Sequence, residues 1–178
     1  MSPLTEVGTS LLIVYVSMVA LIDIRTHRIP NALSATAAVL GLSVHAWING
    51  APGLVTAVGG AAVGLGMFLP FYVLRAFGAG DVKAMATVGI FLGAPATLLA
   101  VAFTLVCGAI IGVTVLLLSS GAGSALGRLA GIAAAPISSL RDRSSAASSQ
   151  RHRFAYGGAI AIGTLATLLV SGAGSAPF

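Results

Sequence analysis

Two aspartates of this chain lie at the ends of long hydrophobic segments, where a carboxylate is unusual. The chain has only four acidic residues, and Asp23 and Asp81 are the two that border apolar runs. An ionisable group at a membrane span is costly and is therefore a candidate for function. If two carboxylates face each other, repulsion makes them share one proton, so that one activates water while the other polarises a carbonyl. The pair therefore predicts peptide-bond hydrolysis without a metal or a cofactor.

A simpler interpretation treats each aspartate as a helix-end charge near the lipid headgroups, paired with Arg25, Arg28 or Lys83. The short apolar segment 81–93 favours a site instead. A helix of that length extends about 20 Å, whereas the hydrocarbon core of a bilayer is about 30 Å thick. Asp81 is therefore expected below the membrane boundary, where irregular backbone is tolerated if it is buried in protein or lines a wet cavity.

The residues next to Asp81 fit such a cavity. Gly78 and Gly80 permit positive φ and let another backbone approach closely. We expect Asp81 to begin a helix and to accept hydrogen bonds from its free N–H groups. Lys83 has alternative roles that the sequence leaves open: it tunes Asp81, holds a phosphate, or marks the cytoplasmic side of the membrane.

The composition indicates an all-α, polytopic membrane protein. Hydrophobic residues make up 57% of the 178 residues and charged residues 7%, against about 25% charged residues in soluble domains. The net charge of +5 is explained by membrane topology, and we predict no nucleic-acid partner. Residues 1–178 are expected to form a single membrane domain in contact with lipid.

The apolar runs predict about six transmembrane helices. Breaks are expected at 49–52 and 93–95, where glycine and proline interrupt the pattern. Pro30 and Asn31 are expected to open the second helix, since proline is favoured in a first turn. Trp47 and His45, near the outer end of that helix, are expected to be interfacial anchors. The predicted spans are roughly 7–24, 30–48, 53–74, 81–93, 96–118 and 154–176.

The distribution of the basic residues along the chain tests the predicted number of spans. All nine Lys and Arg residues fall in or beside three connections, the longest of which is a polar, Ser/Arg-rich loop at 119–153. With six spans these connections share one side. By the positive-inside rule that side is cytoplasmic, so both termini face outward. The predicted location is the inner (plasma) membrane, with the aspartates at its cytoplasmic face.

Three stretches resemble motifs of the type IV prepilin peptidases. Residues 23–31 (DIRTHRIPN) resemble the first motif, in which an aspartate ends the first core helix and Ile-Pro-Asn opens the next. Residues 78–83 (GAGDVK) resemble the second, Gly-x-Gly-Asp followed by Val-Lys. Residues 156–161 (YGGAIA) partly match the opening of the last helix, but Ala155 stands where proline is usual.

The resemblance implies a membrane aspartic endopeptidase that removes the basic leader of prepilins or pseudopilins, after a glycine, on the cytoplasmic side. Asp23 and Asp81 correspond to the two catalytic aspartates, and no cofactor or metal is implied. Bifunctional members add a region with paired cysteines, whereas this chain has one cysteine, Cys107. It resembles the short form of tight-adherence (Flp-type) pilus systems, without methyltransferase activity. Pilus or secretion machinery is implied as a partner.

Two other functions compete with a peptidase. In a small proton-coupled transporter or channel the aspartates would relay protons, although the spans carry no charge at greater depth. A non-catalytic subunit of a pilus or secretion machine would keep the fold alone, and its assembly would tolerate substitution of the aspartates.

Overall fold

The computed structural model describes residues 3–26, 29–74, 76–120 and 156–171. Four helices occupy these ranges: α1 (Pro3–Thr26), α2 (Asn31–Val73), α3 (Ala79–Ser120) and α4 (Tyr156–Val170). The predicted all-helical fold is confirmed for this part of the chain. The polar loop predicted at 119–153 begins later than expected, because α3 extends through Ser120; residues 121–153 lie outside the described ranges.

Two glycines interrupt the long helices at the predicted places. Gly50 in α2 has φ 59° and ψ −137°, and Gly93 in α3 has φ 69° and ψ 170°. Positive φ is open to glycine and strained for other residues. Pro52 and Pro95 follow, and neither has the N–H that would continue the helical hydrogen bonding. The breaks divide α2 and α3 into α2a (31–49), α2b (51–73), α3a (79–92) and α3b (94–120).

Segment α2b runs antiparallel to α3a. Gly60 faces Gly89, and Gly64, four residues later, faces Met85, four residues earlier. A Cβ at Gly64 would lie 2.5 Å from the Met85 carbonyl oxygen, so the two backbones are in contact. Small residues allow such close approach between helices in lipid, and the sequence of α2b is rich in glycine.

Segment α2a runs parallel to the same α3a. The Thr87 hydroxyl donates to the Ser34 carbonyl oxygen at 3.4 Å, and Gly41, further along α2a, faces Phe91, further along α3a. Because α2b is antiparallel to α3a, the chain reverses its direction at Gly50.

Segment α3b packs antiparallel to α4, because Gly163 faces Thr104 while Gly108 faces Tyr156. The end of α1 meets the start of α4, where Gly157 donates a hydrogen bond to Asp23. The six segments therefore alternate in direction, and the connections that carry the cations begin and end at one end of the bundle.

Within the residues that the structure describes, three helical stretches are long and apolar enough to cross a membrane: Glu6–Thr26, Asn31–Val73 and Ala79–Val115. A shorter apolar helix spans Tyr156–Val170. Large hydrophobic side chains are exposed along the bundle, among them Val55 at 73%, and apolar surfaces of this size are typical of membrane contact. A membrane protein is thus supported, while the six crossings and the outward termini stay predictions.

One predicted interfacial anchor is wrong. Trp47 is 81% exposed, as expected, but His45 is completely buried. Its ring interacts with the backbone of Ile90 and Phe91, just before the break in α3. Pro95 has no N–H to donate to the Phe91 carbonyl four residues earlier. His45 therefore lies inside the bundle near the end of α3a, and it is not an interfacial anchor.

Candidate active site

Asp23 lies in the last turn of α1 and is buried, with 5% of its surface exposed. Its Oδ2 accepts a hydrogen bond from the backbone N–H of Gly157 at 2.6 Å. Gly157 is the second residue of α4, so this N–H is one of those that a helix leaves without an internal acceptor. The end of α1 and the start of α4 are thus joined through a carboxylate.

Asp81 is the third residue of α3, and its side chain is partly exposed. Its Oδ2 accepts the N–H of Gly78 at 3.0 Å, while its own N–H donates to the Gly78 carbonyl at 3.1 Å. The bond to the Gly78 N–H is the half of a capping box in which the third helical residue reaches back to the N-cap N–H. Asp81 therefore accepts a free N–H at a helix start, as predicted, but it does not begin the helix. Ala79 and Gly80 are already helical.

The fold brings the two aspartates together. Asp23 and Asp81 are 58 positions apart in the chain, yet both lie where α1, α3 and α4 meet. Repulsion between two neighbouring carboxylates favours the state in which they share one proton. The partly exposed Asp81 is open to water, whereas Asp23 is covered. The site therefore has the groups for combined acid and base catalysis.

Gly78 and Gly80 lie next to Asp81 and contact Asp81 and Ile29, respectively. Neither has a positive φ; in the described residues only Gly50 and Gly93 do. A Cβ on Gly80 would lie 3.2 Å from the Cβ of Ile29, and one on Gly78 would lie 3.4 Å from Asp81 Oδ2. The expectation of positive φ is thus wrong, and at Gly80 it is the side chain of Ile29, not another backbone, that approaches closely.

Lys83 and Asn31 link the starts of α3 and α2. The Lys83 ammonium donates to the Asn31 side-chain oxygen at 2.9 Å, and both residues are exposed. Pro30 is the N-cap residue of α2 and Asn31 is its first helical residue. Pro30 and Asn31 therefore set the start of this helix as predicted. His27 and Arg28, which separate them from α1, lie outside the described residues.

Aromatic side chains cover the site between α2b, α3 and α4. The ring centroids of Phe77 and Tyr156 are 4.3 Å apart, and Phe77 also packs on Phe68 and Phe71 at 5.0 Å. The sequence alone assigned no role to these rings. Two features could have indicated them: Phe77 directly precedes the second motif, and Tyr156 begins the partial third motif.

Gly108 tests how tightly Tyr156 is held. A Cβ on Gly108 would overlap the end of the Tyr156 ring, whereas one on Gly112, one turn later, would meet nothing within 4 Å. We expect Gly108→Ala to displace the ring and to lower stability by about 1–3 kcal/mol, as overpacking does. Thermal unfolding in detergent measures this, with Gly112→Ala as the matched control. Equal midpoints for the two variants would contradict the tight packing.

Metal ligands are not grouped in the part of the chain that the structure describes: no three His, Cys, Asp or Glu side chains there come together as a metal site. Arg75 and the basic residues of the long loop lie outside these ranges.

A protein-family comparison agrees with the motifs. The model of the type IV leader peptidase family matches residues 10–113, a range that includes both aspartates and Gly78–Lys83 but not α4. No curated protein and no solved structure matches the chain significantly.

Proposed function

The chain belongs to the type IV leader peptidase family, and from this premise we propose that it is an integral-membrane aspartic endopeptidase. Its substrates are the basic leader peptides of type IV or Flp-type prepilins or pseudopilins. The observation that carries the aspartic mechanism is that the start of α4 links Asp23 to the helix end that holds Asp81, through the Gly157 N–H and the packing of Tyr156 on Phe77. Two carboxylates that share a proton suffice for peptide hydrolysis.

In this mechanism the ionised carboxylate takes a proton from a water molecule, and the water oxygen attacks the peptide carbonyl. The protonated carboxylate donates its hydrogen to the carbonyl oxygen, so that a neutral tetrahedral diol forms. As the C–N bond breaks, the leaving amine takes up a proton from the first carboxyl group and the diol returns one to the second. The pair is then restored with one shared proton.

The reaction is assigned to the cytoplasmic face of the inner membrane. Arg25 and Lys83 lie at the aspartate end of the bundle, beside the connections that hold the remaining cations. Cationic loops stay on the cytoplasmic side. A prepilin inserted with its basic leader on the same side would present its scissile bond, after a glycine, to the aspartates. Pilus or secretion machinery is the proposed partner that receives the product.

A cleavage assay tests this function. The purified full chain in detergent is incubated with a prepilin encoded near it, and the product is read by gel shift and mass spectrometry. We expect a product that begins directly after the leader glycine and carries no methyl group on its new N-terminus. An intact prepilin, together with a proton flux that depends on Asp81 in proteoliposomes, would identify a transporter instead.

A further inference from the structure

We propose that the first turn of α4 positions the two aspartates, with the Gly157 N–H as the group that orients Asp23. This inference rests on the proposed function, because it concerns the geometry of that reaction. Gly157 lies 134 positions from Asp23 in the chain and outside the range matched by the family model. Gly157 is thus a positioning residue contributed by the last helix.

The contact at Asp23 is short, buried and directional. A buried carboxylate without a hydrogen-bond donor is strongly destabilised, and a hydrogen bond from N–H to a charged oxygen is roughly twice as strong as a neutral one. The donor here is a backbone group whose direction is fixed by the helix. It therefore holds the Asp23 carboxylate in one orientation, which a flexible side-chain donor would not do.

Position 157 accepts no side chain without moving Asp23. An added Cβ would lie 2.8 Å from Asp23 Cβ and 2.9 Å from its Oδ2, closer than real Cβ contacts. Gly158, the next residue, has open space in the same direction, with no atom within 4 Å of an added Cβ. A comparison of alanine at position 157 with alanine at position 158 therefore separates the contact with Asp23 from any general effect of a methyl group at the start of α4.

The same turn also reaches Asp81. Tyr156 precedes Gly157 and packs on Phe77 at 4.3 Å between ring centroids. Phe77 is followed by Gly78, whose N–H donates to Asp81. A continuous chain of contacts thus leads from one carboxylate to the other through the start of α4. The distance between the two carboxylates therefore depends on the position of the start of α4.

The kinetic test compares Gly157→Ala with Gly158→Ala in the full chain. We expect Gly157→Ala to lower kcat about tenfold or more, the factor that corresponds to roughly 1.4 kcal/mol in the barrier. KM should change less than about threefold, because a positioning defect acts on the transition state and not on uniform substrate binding. Gly158→Ala should cleave like the wild type. A wild-type kcat in Gly157→Ala, or an equal loss in both variants, overturns the proposal.

A spectroscopic measurement decides the question if Gly157→Ala does not fold. In protein labelled with ¹⁵N-glycine, the Gly157 amide resonance is identified by its absence from the Gly157→Ala spectrum or, failing that, by sequential assignment. We expect this resonance to move in Asp23→Asn, because the carboxyl acceptor is replaced by an amide, while that of Gly158 stays. An unmoved Gly157 resonance contradicts the contact. Failure of the wild type to cleave prepilin is a separate result, which refutes the proposed function.

Discussion

Asp23→Asn and Asp81→Asn are each expected to abolish prepilin cleavage while the protein remains folded in the membrane. Asparagine keeps the size of the side chain and an oxygen that can accept a hydrogen bond. The oxygen at position 23 can still accept the Gly157 N–H, and the one at 81 the Gly78 N–H. What is lost is the capacity to exchange a proton with water, which in general acid–base catalysis contributes about 10²–10⁴-fold to the rate.

The measurement is cleavage of a co-expressed prepilin, read by gel shift, together with the amount of each variant in the membrane fraction. Glu6→Gln is the matched control, because it removes a carboxylate from an exposed position of α1. We expect Glu6→Gln to cleave like the wild type. Normal processing by either aspartate variant would refute the two-carboxylate mechanism, and it would also favour the non-catalytic assembly subunit that the sequence left open.

Gly60→Ala is expected to have the largest effect on stability of any single methyl group added to the bundle. An added Cβ would overlap the carbonyl group of Gly89 and lie 2.9 Å from the backbone of Gly93. A backbone cannot turn aside as the Tyr156 ring can, so α2b and α3a must separate. Overpacking costs about 1–3 kcal/mol and occasionally more. We expect a value at or above the upper end of that range and a loss of activity, because α3a carries Asp81.

Thermal unfolding in detergent and accumulation in the membrane measure this effect. Gly59→Ala and Gly66→Ala are suitable controls on the same segment, since neither added Cβ would meet an atom within 4 Å. We expect both controls to unfold near the wild-type temperature. If Gly60→Ala unfolds at the same temperature as Gly59→Ala, the close contact between α2b and α3a is incorrect.

Much of the fold was predictable because the relevant signals are local. The scarcity of charge indicates helices in a membrane, since each helix satisfies its own backbone hydrogen bonds. Gly50 and Gly93 mark the helix breaks through their backbone freedom and the prolines that follow. Asp23 and Asp81 were identifiable because a carboxylate at a span is costly wherever the helix is placed.

Other features depend on how helices cross, which no local pattern specifies. His45 lies at a position where an interfacial residue is expected, yet it is completely buried inside the bundle. The sequence led us to expect a positive φ at Gly80, but in the structure the absence of a side chain at this position leaves space for Ile29. Gly157 lies in a stretch that matched the third motif only in part. Its role depends on the packing of the start of α4 against the end of α1.

The sequence by itself thus determined the kind of protein, the places where its helices break and the two carboxylates at its site. The tertiary structure decided that the helix ends that carry these carboxylates lie together and that a backbone N–H 134 positions away binds one of them. The physical reason is the range of the interactions. Composition and backbone preferences act within a few residues, whereas the register of packed helices arises from many side-chain contacts made at once.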